Sequence, residues 1–566
     1  LNKAKQLISV AKGDSPADLI LANARVVNTC NGEVETADIA VYDGLVAGVG
    51  DYKQAKEIID LKGKYVAPGL INGHVHLESS MLDVGQYARA VVPHGTSAIV
   101  TDLHEITNVC GIEGIEYVLD YARRLPFDLF LMAPSCVPAT HLETSGANIS
   151  PEDIKKILKF KECIGLGEVM NYPGVLFGDD TMLAKIESAR GKIIDGHAPG
   201  VRGKDLNAYI GAGMHSDHES VALDEGEEKL RRGMYLMIRE GSSEKNLEAL
   251  LPLVTDKTYP RCLFVVDDRH AEDILHDGDI DAVVRKAIRL GLDPVRAIQL
   301  ATINTATYFR LDGLGAVAPG YYANFIILDN LKAFEVKSVY YRGEKVAENG
   351  RPLFGLPRAP ANRLNRTVNI KPFSVDDLKL KAKGGQAFVI EIIPGQIVTR
   401  KKSVKVTVKD GFIQSDTGRD ILKVAVVERH QASGNIGLGL VTGFGLKKGA
   451  LASSTAHDSH NIVAVGASDE DIYAVVKELE RIHGGIAAAA GGKVLGSLAT
   501  PIAGLLSEEP LEKVVAGLDK LQDIARELGC KLPAPFATLS FLALPVIPEL
   551  RLTDLGLVDV NAFKLI

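Results

Sequence analysis

Eight short apolar segments, each followed by an amphipathic one, fill residues 65–310 and constrain this chain more than any other feature. The apolar runs end near His76, His104, Cys136, Glu168, His197, His218, Arg239 and Asp267. Between them lie stretches such as CGIEGIEYVLDYARRL, SPEDIKKILKF and DDTMLAKIESAR, with apolar residues at helical spacing. Strand-then-helix units over about 250 residues have the size and rhythm of a TIM (β/α)8 barrel, an α/β fold. In that fold the C-terminal strand ends form one mouth. The chemically versatile side chains of this chain cluster at those ends.

The flanks read differently. Residues 1–64 hold ADLILANARVVNT, ADIAVYDGLVAGVG and KEIIDLKGKYVAPG, which alternate apolar and polar residues around Asn-Gly and Asp-Gly turns. The same style returns in 311–364, with DGLGAVAPGYYANFIILDN and EVKSVYYRGEKVAENG. A small β-sandwich-like domain built from both sides of the barrel is the expectation. The Pro-rich RPLFGLPRAPANRLN marks a linker. Residues 365–566 mix strands, Gly turns and helices and read as a separate α+β domain. A chain of 566 residues is too long for one core, so this division is required as well as legible.

The net charge of -8 argues against a general nucleic-acid or membrane-surface binder. No apolar run reaches membrane-spanning length, and LNKAKQLISVAKGDSPADL lacks a signal-peptide core. Six scattered cysteines (Cys30, Cys110, Cys136, Cys163, Cys262, Cys530) show no pairing pattern and suit a reducing cytoplasm. No strand–GxGxxG–helix or P-loop pattern appears. A homo-oligomer, guessed as a dimer, is expected for a large α/β hydrolase with an extra domain.

The barrel-end residues form a ligand set. In PGLINGHVHLE, His74 and His76 lie two apart, so a strand points both imidazoles the same way. Glu168, His197, His218 and Asp267 close strands four, five, six and eight. Any one of these alone reads as a core or capping residue; six at matching places do not. Nitrogen and carboxylate donors suit Zn, Mn or Fe. Six are too many for one tetrahedral ion that still holds water. They suit two ions bridged by Glu168 around a shared hydroxide.

Neighbouring positions carry expectations too. Strand alternation sends Asp267 and Asp268 to opposite faces, with Asp267 the ligand and Asp268 orienting neighbours such as Arg269. Arg239 and Glu240 close strand seven and read first as a surface ion pair, with substrate binding as the alternative. Ser216 and Asp217 are expected to orient the His218 ring, since ligating imidazoles donate their other N–H. The AHDSHNI block (His457, Asp458, His460) reads as a lid or subunit contact reaching the barrel mouth rather than a separate metal site. GIAAAAGGKVLG reads as a place of helix packing or close backbone approach.

The order HxH after strand one, His on strands five and six, Asp on strand eight and a split β layer resembles the amidohydrolase superfamily. Many members bridge two metals with a carboxylated lysine on strand four. Here that place holds Glu168, and Lys161 and Lys192 precede strands four and five. Within the superfamily the chain resembles the adenine deaminases over nearly its whole length. The resemblance rests on PGLINGHVHLESSM, PHGTSAIVTDLHEITNVCG, GLGEVMN, GHAPG, SDHES, VVDDRHAEDILHDGDID and a C-terminal domain beginning near Gln386. It implies purine salvage: hydrolysis of adenine to hypoxanthine and ammonia by a metal-activated hydroxide, with Mn or Fe favoured and Zn also accommodated. It further implies that Asp267 moves the water proton beside the bridging Glu168. His104 and Glu105 would protonate the ring nitrogen or orient the purine edge. Two alternatives stand beside it: a dihydropyrimidinase- or hydantoinase-like cyclic amidohydrolase, and a non-catalytic scaffold of the same fold. The P-C-x-x-C of cytidine-type zinc deaminases is missing.

Overall fold

The computed structural model describes residues 2–361, 364–394 and 396–566; Asn362 and Arg363 of the expected linker lie outside the described residues. The eight barrel strands are Leu70–Asn72, Thr96–Thr101, Asp128–Ala133, Cys163–Val169, Ile193–Gly196, Ser216–Asp217, Tyr235–Arg239 and Cys262–Val265. Strands one to five pair in parallel, as do six to eight. His215 bridges the seam between five and six: its N–H donates to Ile194 O (3.0 Å) and its carbonyl accepts from Tyr235 N–H (2.8 Å). The other seam closes beyond strand one, where Val75–His76 pairs in parallel with Asp267–Asp268. That closure sets the two halves of the expected ligand set side by side in register.

Alternate residues fill the barrel interior. Ile71, Ala98, Val100, Met132, Ile193, Met237, Leu263 and Val265 form one buried cluster, floored by Tyr308 and Phe309. The other strand faces pack against the helices, which is why Thr96–Thr101 is buried at every position.

The flanking β layer is a single nine-stranded sheet. Its spine, Ala17–Asn28, pairs antiparallel with Glu33–Tyr42. On its other edge it runs parallel first to Ala55–Asp60 and then to Tyr65–Pro68. A bulge between Leu21 and Ala24 lets one long strand serve both halves. The chain leaves for the barrel through Tyr65–Pro68 and returns through Phe325–Leu328, which pairs antiparallel with it. A helix, Asn2–Ala11, packs on this sheet through Val10, an element the sequence reading left out.

The C-terminal region is built on an eight-stranded sheet with helices Asp469–Arg481 and Leu511–Glu527. GIAAAAGG forms strand Gly485–Ala490 and turns at Gly491 and Gly492, both with positive φ. Ala487 and Ala489 pack beneath Val475 and Val476 of the first helix.

Candidate metal centre and substrate pocket

Glu168, at the end of strand four, stands in the middle of the barrel mouth. Its Oε1 lies 3.3 Å from His76 Nε2 and 4.0 Å from His74 Nε2. Its Oε2 lies 2.6 Å from His197 Nδ1 and 3.2 Å from His218 Nε2. One oxygen thus faces the HxH pair and the other faces the histidines of strands five and six. Asp267 completes the first side, with Oδ1 3.0 Å from His76 Nε2 and 3.5 Å from His74 Nε2. All six expected ligands therefore converge, and His197 is the one reached by some solvent.

The expected alternation of Asp267 and Asp268 fails at this point. Asp267 has a φ of 61°, so the chain turns and both carboxyls line the mouth cavity. Asp268 accepts from the Ser79 hydroxyl instead of turning to Arg269. The surface ion pair expected of Arg239 and Glu240 is also overturned. Both are buried, because strand seven ends inside the mouth. Arg239 donates to Asp267 Oδ2 at 2.6 Å and pairs with Glu219, while Glu240 turns to Lys286 at 2.5 Å. Ser216 and Asp217 do not orient His218. The Ser216 hydroxyl donates to Asp195 at 2.9 Å, Asp217 binds Lys229, and His218 Nδ1 has no hydrogen-bond partner among the described residues.

Sequence reasoning missed Asp102 and Glu219. Asp102 Oδ1 sits 3.3 Å from His76 Nδ1 and 3.1 Å from His104 Nδ1, tying the HxH strand to the end of strand two. Glu219 Oε1 sits 3.5 Å from His218 Nε2 and 3.8 Å from His197 Nδ1. The available signal was adjacency: T-D-L-H-E and D-H-E-S each place a carboxylate beside a strand-end histidine.

Leu103, with φ 54°, turns the chain from strand two into helix His104–Cys110. His104 and Glu105 consequently both face the mouth. Glu105 is gripped from the C-terminal region: His457 Nδ1 lies 2.6 Å from its Oε1, and His460 contacts Oε2. The H-D-x-H block thus folds over the barrel mouth. The cavity there, about 360 Å3, has these polar groups as its floor. Its apolar wall comes largely from the same C-terminal region, including Val398, Phe541, Leu544, Val546 and Ile547.

Residues 65–346 match the amidohydrolase family, and residues 396–564 match the adenine deaminase C-terminal domain. An adenine deaminase of Dehalococcoides mccartyi (strain ATCC BAA-2266 / KCTC 15142 / 195) is 63% identical over 99% of this chain and 98% of its own length. Adenine deaminase 2 of Carboxydothermus hydrogenoformans is 51% identical, covering 99% of each chain. That of Desulfatibacillum aliphaticivorans is 49% identical with the same coverage. The chain belongs to the adenine deaminase family. Neither the cyclic amidohydrolase nor the scaffold alternative is favoured by these matches.

As an adenine deaminase of the amidohydrolase superfamily, the chain calls for a divalent metal, and its mouth is suited to one. Five overlapping groups of donors among the described residues have ligand atoms within 4.8 Å of one another, and three of them centre on the expected ligands: His74–His76–Asp267, His74–Glu168–His218 and His197–His218–Glu219. His74 Nε2 is buried with no hydrogen-bond partner among the described residues, although it points at two carboxylates. A buried ring nitrogen left this way is costly unless another partner takes it.

Electrostatics agree with that reading. Burial disfavours a charged His218, but Glu168, Asp267 and Glu219 outweigh it and lift its pKa to about 9. Burial likewise opposes charge on His76, yet Asp102, Asp267 and Glu168 hold it well above the usual imidazole range. Burial would raise Glu168, but His197, His218 and His76 hold it well below the carboxylate range. Protons on the imidazoles here do the charge-balancing that a cation would do.

Proposed function

We infer that this chain is a metal-dependent adenine deaminase that hydrolyses adenine to hypoxanthine and ammonia at the barrel mouth. The observation that carries the reading is Glu168 dividing its two oxygens between two groups of histidines, in a chain similar to adenine deaminases from end to end. In this reading His74, His76, Glu168, His197, His218 and Asp267 would hold two divalent ions. The sulfur-free donor set suits Mn or Fe and also accepts Zn. Bound ions supply Lewis acidity and lower the pKa of water to near neutrality.

The chain's own groups do the rest. Arg239 fixes Asp267 Oδ2, which leaves Oδ1 facing the site to accept the water proton and return it to the departing amine. His104, between Asp102 and Glu105, is the donor to the purine ring nitrogen. Its flanking carboxylates favour the protonated ring, and Glu105 is itself pinned by His457 and His460. The apolar wall presses the purine against this polar floor and excludes water.

No helix among the described residues is long and apolar enough to cross a membrane. The six cysteines are unpaired, which suits the cytoplasm, and a homodimer belongs to the same reading. The test is adenine loss by ultraviolet absorbance, with ammonia release, in protein reconstituted with Mn, Fe or Zn. Ring opening of a hydantoin with no turnover of adenine under any metal would overturn the reading.

A further inference from the structure

Strand seven runs into a tight loop, residues 240–246, at the barrel mouth. Asn246 N–H donates to Arg239 O at 3.0 Å, Gly241 N–H to Glu244 O at 2.9 Å and Ser242 N–H to Asp268 O at 2.8 Å. Gly241 permits that packing, since a Cβ there would sit 2.8 Å from Val266 O and 2.9 Å from Asp268 O. The loop is thus pinned by its backbone to the end of strand eight, and Glu244 lines the substrate cavity. Glu244, Ile397, Val398 and Phe541 also line the neighbouring cavity. Glu244 therefore stands where the polar floor meets the apolar wall from the C-terminal region.

Four acids line the cavity on the side of strands six to eight: Glu219, Glu244, Asp267 and Asp268. Arg239 holds Glu219 and Asp267, and the Ser79 hydroxyl donates to Asp268. The Glu244 carboxyl has no hydrogen bond or ion pair among the described residues. Its side chain is half-buried, and neither oxygen is shut away from solvent. An open carboxyl on a pocket wall is a polar group placed to orient a ligand.

Round the mouth the strands run two, one, eight, seven. His104 and Glu244 therefore flank the strands that carry His74, His76 and Asp267 from opposite sides. In adenine, N1 and N7 likewise flank C6 from opposite sides. With C6 over the metal ligands and N1 turned to His104, N7 is turned to Glu244. We propose that Glu244 hydrogen-bonds the purine at N7 and so sets specificity for a ring with nitrogen at that place. The proposal rests on the deaminase reading and adds a residue to it. Burial pushes the Glu244 carboxyl up to about 7, against the pull of Arg239 and with the help of Asp268, Asp267 and Glu219. The contact needs neither form in particular: the acid donates to a bare N7, and the carboxylate accepts from N7–H.

The test compares adenine with 7-deazaadenine, which has C–H in place of N7, in metal-replete protein. Release of ammonia from adenine by wild type is measured first and establishes the underlying reading on its own. Glu244→Ala should lower kcat/KM for adenine about tenfold, the effect of one lost hydrogen bond, with most of the loss in KM. On 7-deazaadenine the same substitution should change kcat/KM less than about twofold, so the preference for adenine shrinks by most of that factor. Comparing the two enzymes cancels the difference in intrinsic reactivity between the two rings. Glu244→Gln, whose amide both donates and accepts, should keep KM for adenine within about threefold of wild type. Where 7-deazaadenine binds without turnover, its Ki against adenine takes the place of kcat/KM. Glu244→Leu replaces the alanine variant should that one fail to fold. Equal losses on both rings, an unchanged KM for adenine, or metal content that falls in step with the rate overturns the proposal.

Discussion

Asp217 and His218 are neighbours in sequence, yet they anchor two buried charge clusters built on opposite terms. Around Asp217 every demand is met. Lys229 Nζ donates to Ala198 O (2.7 Å), Glu225 (2.8 Å), Asp217 (2.9 Å) and Ser220 (3.1 Å). Asp217 also accepts from Ala198 N–H at 2.9 Å. Around His218 the carboxylates crowd together, and His74 Nε2, His76 Nδ1 and His218 Nδ1 lack hydrogen bonds among the described residues. A buried network that is fully satisfied fixes loops. One that leaves ring nitrogens unpaired beside carboxylates is kept for a partner that the chain does not itself contain.

The sharpest break of this comparison is Glu168→Gln. The amide keeps the shape but loses the charge and one acceptor oxygen that the two histidine groups share. Adenine turnover should fall by about 10^3-fold or more, about 4 kcal/mol in the barrier, with metal content below that of wild type. Folding without metal should survive. Elemental analysis alongside kcat decides it: full metal content with near wild-type rate means Glu168 is no bridge.

Lys229→Met should do the reverse. The lysine side chain is 1% exposed and holds two carboxylates. Its loss leaves Asp217 and Glu225 buried without their cation, which costs about 3–5 kcal/mol of stability. The rate per metal-loaded molecule should stay near wild type. A denaturant titration showing no change, or a kcat collapse in folded and metal-replete protein, would erase the distinction between the two clusters.

That distinction was only half legible in the sequence. The expected ligands could be found because barrel strands must end at one mouth, so His74, His76, Glu168, His197, His218 and Asp267 were placed there by strand rhythm and the HxH spacing. Asp102 and Glu219, and the role of Arg239, escaped for a different reason. Their roles depend on which way one turn sends a side chain, and Leu103 and Asp267 take left-handed backbone conformations that period-2 reasoning does not foresee. Lys229 escaped because it sits in an ordinary charged helix, DEGEEKLRR, whose buried face shows only once that helix packs beside strand seven. The H-D-x-H block was visible as a motif, but its partner Glu105 lies 352 residues from His457. Sequence spacing carries no information at that separation.

The C-terminal grip on Glu105 gives an intermediate effect. His457→Ala removes one imidazole from that carboxylate while leaving all six expected metal ligands in place. Activity should drop by about 10- to 100-fold with metal content unchanged, the range seen when an orienting partner of a site residue is lost. A drop in metal content equal to the drop in rate would instead put His457 with the metal cluster.

The smallest effect, and the most specific, is in pH. Without bound metal, His218 is lifted to about 9 by Glu168, Asp267 and Glu219 against the opposing pull of burial. A raised imidazole stabilises the fold fully below its unfolded pKa of about 6.5, and that contribution is lost as pH climbs through the folded value. The metal-free protein should therefore lose thermal stability between about pH 7 and pH 9. Glu168 and Asp267 are held low by the same pairs, so their share is present above about pH 4 and fades only in acid. Metal binding runs the other way, because protons on His76 and His218 compete with the cation and that competition ends as pH rises. The gap in Tm between metal-loaded and metal-free protein should widen by a few degrees from about pH 6 to about pH 9. The Asp217–Lys229 cluster holds no histidine, so the widening should persist in a Lys229→Arg variant. A gap that stays constant, or narrows, would mean the imidazoles are already neutral and that the unpaired nitrogens of the His218 cluster await something other than a cation.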